Sequence, residues 1–196
     1  QAAGGSGALR LGAELVFAAN PKAKVWVSTP TWGNHIPLIS SSGLELASYP
    51  YYNRETLGVN FDEMIAHLDA HAVSGDVVLL HGCCHNPTGA DFSDAQWDII
   101  ADFVVAKGLT PFIDLAYFGL GRGLTQDIIG TRKVVAAAPE SLIAISCSKN
   151  FALYKERVGL ICAITKDADT AAIAEGQFSA IQRKLISMPP DHGAAL

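Results

Sequence analysis

Charge is scarce in this sequence. Only 17% of its 196 residues are Asp, Glu, Lys or Arg, and the excess of acid leaves a net charge of −5 with no cluster of Lys or Arg. That composition excludes a nucleic-acid-binding surface, which needs a basic patch. Long apolar runs are missing too: none approaches the roughly 20 residues of a membrane span, so no membrane association is expected. No basic-then-apolar leader is visible at Gln1, and a cytoplasmic location is expected. The four cysteines lack the C-x-x-C spacing that brings two thiolates to one ion. Cys83 and Cys84 are adjacent, and on a strand their side chains would point to opposite faces. Although His81 and His85 bracket them, the expectation is reduced, buried thiols and no metal.

What is present is apolar: 49% of residues, enough for a sizeable core. Gly4-Gly5-Ser6-Gly7 precedes a helical pattern from Ala8 to Asn20, and glycines at a helix start expose N–H groups to an anion. Strands are predicted over Lys24 to Ser28, Leu44 to Tyr51, Asp76 to His81, Thr110 to Ile113, Leu142 to Ser146 and Val158 to Thr165. Between them lie helices over Ile36 to Ser42, Asp62 to Ala72, Ser93 to Lys107 (with Gly108 as its stop) and Ile128 to Ala138, with a long final one from Asp167. Strands alternating with helices argue for a parallel or mostly parallel α/β sheet. The glycine-rich start, with no strand before it, and the absence of a closing signal at Leu196 suggest a fragment of a longer protein.

In such sheets ligands bind at the carboxyl ends of the strands. The polar residues there are Trp32 and His35, then Asn86, then Asp114 and Tyr117, then Ser146 and Lys149. Lys149 stands just beyond the buried run Leu142–Ile145, where the cost of desolvating a charge favours the neutral, nucleophilic amine. Taken singly, Trp32 reads as a core aromatic, Asn86 as a turn former, Asp114 as a helix cap and Lys149 as a lysine reaching for solvent. Together they suit a pyridinium cofactor. A carboxylate keeps the ring nitrogen protonated, an amide and a phenol hold a ring oxygen, an aromatic stacks on the ring, and a helix start plus Arg157 hold a phosphate.

The segments GGSGALR, WVSTPTWGNH, HGCCHNPTGAD, DLAY, SCSKNFALYKERVG and SMPPDHGA cover essentially the whole chain. In these it resembles the large, cofactor-binding domain of class I (fold-type I) aminotransferases, nearest the aspartate and aromatic amino acid enzymes. The resemblance implies a three-layer α/β/α domain over residues 1–196, without the family's N-terminal arm and C-terminal small domain. It implies pyridoxal 5'-phosphate held as a Schiff base on Lys149, with Asp114 at the pyridine nitrogen and Tyr117 and Asn86 at the 3'-oxygen. Trp32 would stack on the ring, His35 would support Asp114 from behind, and Gly5, Ser6, Ser146 and Arg157 would bind the phosphate. Trp32 and Asn86 would also meet substrate, and Arg183 would reach across a homodimer interface to a substrate side-chain carboxylate.

The reaction so implied moves an amino group from an aspartate or aromatic amino acid to 2-oxoglutarate, through a pyridoxamine phosphate form. Ile186 and Met188 stand where aspartate enzymes often carry tyrosine and asparagine, which speaks against strict aspartate specificity. A non-catalytic cofactor-binding fragment, or a related fold-type I lyase or decarboxylase, is the alternative.

Overall fold

A computed structural model describes all of residues 1–196. In chain order the first half holds β1 (Ala2–Ala3), α1 (Gly4–Ala19), β2 (Lys24–Thr29), α2 (His35–Ser40), β3 (Glu45–Pro50), β4 (Tyr52–Asn53), β5 (Gly58–Val59), α3 (Phe61–His71) and β6 (Val77–His81). The second holds α4 (Asp94–Lys107), β7 (Thr110–Leu115), α5 (Leu124–Asp127), α6 (Ile129–Ala137), β8 (Ser141–Ser146), β9 (Val158–Ile164), α7 (Ala168–Leu185) and α8 (His192–Ala195).

Seven strands form one sheet in the order β1-β9-β8-β7-β6-β2-β3. Strands β8, β7, β6, β2 and β3 pair in parallel, while β9 pairs antiparallel with both β8 and β1 and alone runs against the rest. The expected mostly parallel α/β sheet is therefore observed. No helix is long and apolar enough to cross a membrane.

Successive residues of the central strands serve opposite faces. In β6, Val78 and Leu80 join Met64 and Leu68 of α3, Trp97 and Ile100 of α4 and Val134 of α6 in one core. Val77 and Leu79 face the other way, into a core with Ala8, Leu9 and Leu11 of α1, Ile39 of α2 and Ile181 of α7. Because both faces are covered, β6 reads as a continuous apolar run. These two cores lie between the sheet and the helices on either face, a three-layer α/β/α arrangement.

The helix ends follow local chemistry. Ser93 and Gln96 form a reciprocal capping box at the start of α4, and Gly108 closes it with a left-handed φ of 68°. The carboxylate of Asp167 accepts the Thr170 N–H at the start of α7. Asp76, immediately before β6, is buried and accepts from Lys24 N, Trp26 Nε1 and Val73 N, so it ties the start of β2 to that of β6.

Several expectations are corrected. Helix α1 begins at Gly4, not Ala8, because the glycines form its first turn. A strand does precede it: Ala2–Ala3 pairs with Val158 and Gly159, a ladder too short to leave a periodicity. The small β4–β5 ladder was likewise invisible. Asp114 lies inside β7, not at its end. Strand β6 stops at His81, so Cys83 and Cys84 follow the strand; Cys84 is left-handed at φ 51°, and strand alternation does not govern its thiol.

Close packing generates a paired prediction. A Cβ at Gly130 in α6 would meet Trp97 Cε2 at 2.2 Å, whereas one at exposed Gly176 in α7 would meet nothing within 4 Å. Alanine in place of a helical glycine gains up to about 1 kcal/mol, but overpacking a core costs about 1–3 kcal/mol. Gly130→Ala is expected to lower the urea midpoint and Gly176→Ala to raise it; equal shifts of one sign would contradict this packing.

Candidate active site

The carboxyl ends of β6, β7 and β8 open on a cleft. Gly5, Ser6, Trp32, Asn86, Asp114, Tyr117, Ser146, Lys149 and Arg157 all line it, nine of the eleven residues singled out from the sequence. His35 lies behind Asp114. Arg183 is exposed in the last turn of α7 and does not line the cleft.

One corner is built for an anion. Helix α1 starts at Gly4 with no side-chain cap and no acidic residue in its first turn, so its leading N–H groups are unmet. The Arg157 guanidinium crosses this corner, donating to the carbonyls of Ala3 at 3.2 Å and Tyr154 at 2.9 Å. Gly4 is required there twice over: its φ is +70°, and a Cβ would lie 2.3 Å from Arg157 Nη2. A Cβ at Gly5 would lie 2.9 Å from Ser146 Cβ. Two glycines thus let the helix start, the arginine and the Ser146 hydroxyl converge.

Across the cleft, Asp114 is 4% exposed. His35 Nε2 lies 3.1 Å from its Oδ2, and His35 Nδ1 lies 2.7 Å from Thr31 Oγ1. Thr31 Oγ1 in turn lies 3.3 Å from His81 Nε2, and the Asn86 N–H donates to His81 Nδ1 at 3.4 Å. With His35 neutral, one assignment satisfies every link. Because His81 Nδ1 accepts from a backbone amide, its proton is on Nε2 and is donated to Thr31; the Thr31 hydroxyl donates to His35 Nδ1, and His35 Nε2–H donates to Asp114. Thr31 was not singled out from the sequence, and His81 was noted only as a neighbour of the cysteines. The signal for His81 was its place as the last residue of a buried strand; Thr31 left none.

The remaining side chains are held by their loops. Asn86 Nδ2 donates to the Tyr117 hydroxyl at 3.4 Å, and Lys149 Nζ lies over the Tyr117 ring, 4.6 Å from its centroid. The Ser148 N–H donates to Ser146 Oγ, and Asn150 Nδ2 donates to the Phe118 carbonyl at 3.1 Å, pinning the lysine's turn to the loop after Tyr117. Trp32 stands edge-on to His35, with centroids 5.3 Å apart. Asp91, also missed, accepts the N–H groups of Cys84 and His85 and fixes the approach to Asn86.

A family model for class I and II aminotransferases matches residues 1–196. The chain belongs to that family. An aromatic-amino-acid aminotransferase of Paracoccus denitrificans is 49% identical over 193 residues, covering 98% of this chain and 49% of its own length. An aspartate aminotransferase of Escherichia coli (strain K12) is 44% identical over 196 residues, 100% of this chain and 49% of its own. Among solved structures, an aromatic-amino-acid aminotransferase from Burkholderia pseudomallei, covalently bound to pyridoxal phosphate, superposes with a TM-score of 0.96 at 45% identity, over 99% of this chain and 48% of its own. The chain spans about half the length of the relatives it matches. The residues present fit that cofactor: the unmet amides, Arg157 and Ser146 suit a phosphate, and the buried Asp114 carboxylate suits a protonated ring nitrogen.

Burial of the relay has a pH signature. Burial first, then the charge of neighbouring His85, lowers His81 from 6.5 to about 3, and Asp114 only partly opposes this. Burial and His35 lower His85 from 6.5 to about 4. Between pH 6.5 and about 4 the unfolded chain therefore binds more protons than the folded one, and stability falls as pH falls. The urea midpoint is expected to drop from pH 7 to pH 5, with a slope approaching about 1.4 kcal/mol per pH unit for each histidine. A flat midpoint across that range would contradict the buried, neutral histidines.

Proposed function

We propose that residues 1–196 form the cofactor-binding large domain of a pyridoxal-phosphate-dependent aminotransferase. It moves the amino group of an aspartate or aromatic amino acid to 2-oxoglutarate, in a cytoplasmic homodimer with its active sites at the subunit interface. The observation that carries the reading is the meeting of Lys149 with Asp114 and the Gly4–Arg157 anion corner in one cleft. The relatives' names, aromatic and aspartate alike, support the substrate classes.

In this reading Gly5, Ser6, Ser146 and Arg157 bind the phosphate, Asp114 holds a proton on the ring nitrogen, and Asn86 and Tyr117 hold the ring oxygen. When bound, pyridoxal phosphate supplies an electrophilic carbon and a sink for the electron pair left on the substrate's α-carbon. Lys149 would anchor the cofactor through its amine and, when that amine is free, would carry the proton to and from the substrate's α-carbon. Tyr117, whose ring lies under the Lys149 amine, orients it. Trp32 covers the ring face and shields it from water, and Asn86 also meets the substrate α-carboxylate. Arg183 acts from the neighbouring subunit, in keeping with its exposure in its own chain.

The test is Lys149→Ala in the full-length protein. It is expected to lose the visible absorbance of the bound cofactor. Turnover with aspartate and with aromatic donors should fall by more than the roughly hundred- to ten-thousandfold attached to general acid–base work alone. Retained turnover would overturn the assignment of Lys149, and a protein that uses neither donor class would overturn the substrate reading.

A further inference from the structure

Away from the cleft, a cluster of soft ligands is formed by residues that the proposed reaction does not use. Cys83 Sγ, Cys84 Sγ and a carboxylate oxygen of Asp127 all lie within 4.8 Å of one another. The thiols meet because the chain has left β6 and turns left-handed at Cys84, with φ 51°. Asp127 is fixed independently of any ligand: its Oδ2 accepts the N–H groups of Gly119 and Gly121, and its Oδ1 that of Arg122. One lone pair of Oδ1 is left over. A Cβ at Gly121 would lie 2.9 Å from both Cys84 Sγ and Asp127 Oδ1, so glycine is what lets these two donors stand side by side. All four cysteines of the chain are free, and Cys84 is only half-buried, which gives the cluster a route to solvent.

We propose that Cys83, Cys84 and Asp127 bind a soft divalent cation of the zinc class, with water as the fourth ligand. Metal–sulfur bonds of about 2.3 Å and metal–oxygen bonds of about 2.0–2.2 Å in a tetrahedron place the donors roughly 3.5–4 Å apart, inside the observed spread. Hard cations are excluded by chemistry, since they demand six or more oxygens. On binding, two S–H bonds break, two metal–sulfur bonds form, and two protons leave to solvent. The ion joins the loop leading to Asn86 to the loop following Tyr117, and so clamps together the two segments whose side chains meet at 3.4 Å in the cleft.

The experiment titrates the reduced full-length protein with Cd2+, following the thiolate-to-metal absorption band, and then competes with Zn2+. One equivalent is expected to saturate the band. Cys83→Ser and Cys84→Ser are each expected to weaken binding by more than about tenfold, the lower end of what losing even a ligand's supporting hydrogen bond costs. Cys162→Ser, in β9, is expected to leave it unchanged. The unmutated protein gives a second readout that needs no variant: Zn2+ should protect Cys83 and Cys84, but not Cys162, from alkylation as read by mass spectrometry. No band, a band that survives Cys84→Ser, or alkylation of Cys84 unaffected by Zn2+ would overturn the site.

Discussion

A carboxylate buried in the middle of a sheet is the constraint on which the site depends. Asp114 is nearly inaccessible and lies within β7, flanked by β6 and β8. An ionised carboxylate in that position is tolerable only with hydrogen-bond donors aimed at it. His35 provides one, and His35 is oriented only because Thr31 donates to its other nitrogen. Thr31 can donate in that direction because His81 satisfies its lone pair, and His81 is set by the amide of Asn86. The start of α2, the β2–α2 loop, the end of β6 and the approach to Asn86 are thereby locked to a single carboxylate. A cofactor nitrogen that brings a proton to Asp114 would supply the partner its remaining oxygen can accept from.

The relay also explains why the site lies at this end of the sheet. Strands β6, β7 and β8 each contribute one polar residue, His81, Asp114 and Ser146, near the end of an apolar run whose earlier residues pack mainly into the two cores. Strand β6 shows the division most clearly: Val77 to Leu80 are divided between the cores, and His81 belongs to the relay. The loops that carry chemistry are then stiffened by carboxylates: Asp91 holds the amides just before Asn86, and Asp127 those after Tyr117. These sacrifice little core packing, because both collect backbone N–H groups that would otherwise be unmet.

Much of this was legible in the sequence, for physical reasons that differ by residue. The buried strands were visible because parallel strands covered on both faces are continuous apolar runs. Helix α4 was visible because its capping box and terminal glycine are local. Lys149, Asp114, Asn86 and Arg157 were legible because their motifs are specific, and the cleft does gather them. Thr31, Asp91 and Asp127 were not, since a hydrogen-bond partner supplied by another strand's loop leaves no periodicity or spacing. Strand β1 failed for the opposite reason: two alanines carry no pattern, and only the pairing with β9 makes them a strand. For the adjacent cysteines, a correct rule was applied two and three residues beyond the end of the strand to which it belongs.

The cleft's own charges divide the work of the proposed reaction. Its only lysine or arginine residues are Lys149 and Arg157. Arg157 is committed to the anion corner, where it already donates to two carbonyls, and Lys149 is left for the proposed covalent role. No guanidinium remains in the cleft to pair with a substrate carboxylate, although bidentate pairing of that kind is how proteins orient carboxylates most firmly. Asn86 alone offers an amide there. The residues of this cleft thus suit holding and polarising a cofactor, and Arg183 is exposed and does not line it. A cation pairing with a substrate carboxylate would therefore have to meet the cleft from outside these lining residues. Ile186 and Met188, which follow Arg183 in sequence, are exposed and do not line the cleft either, whereas Asp114, with the relay behind it, forms part of its wall.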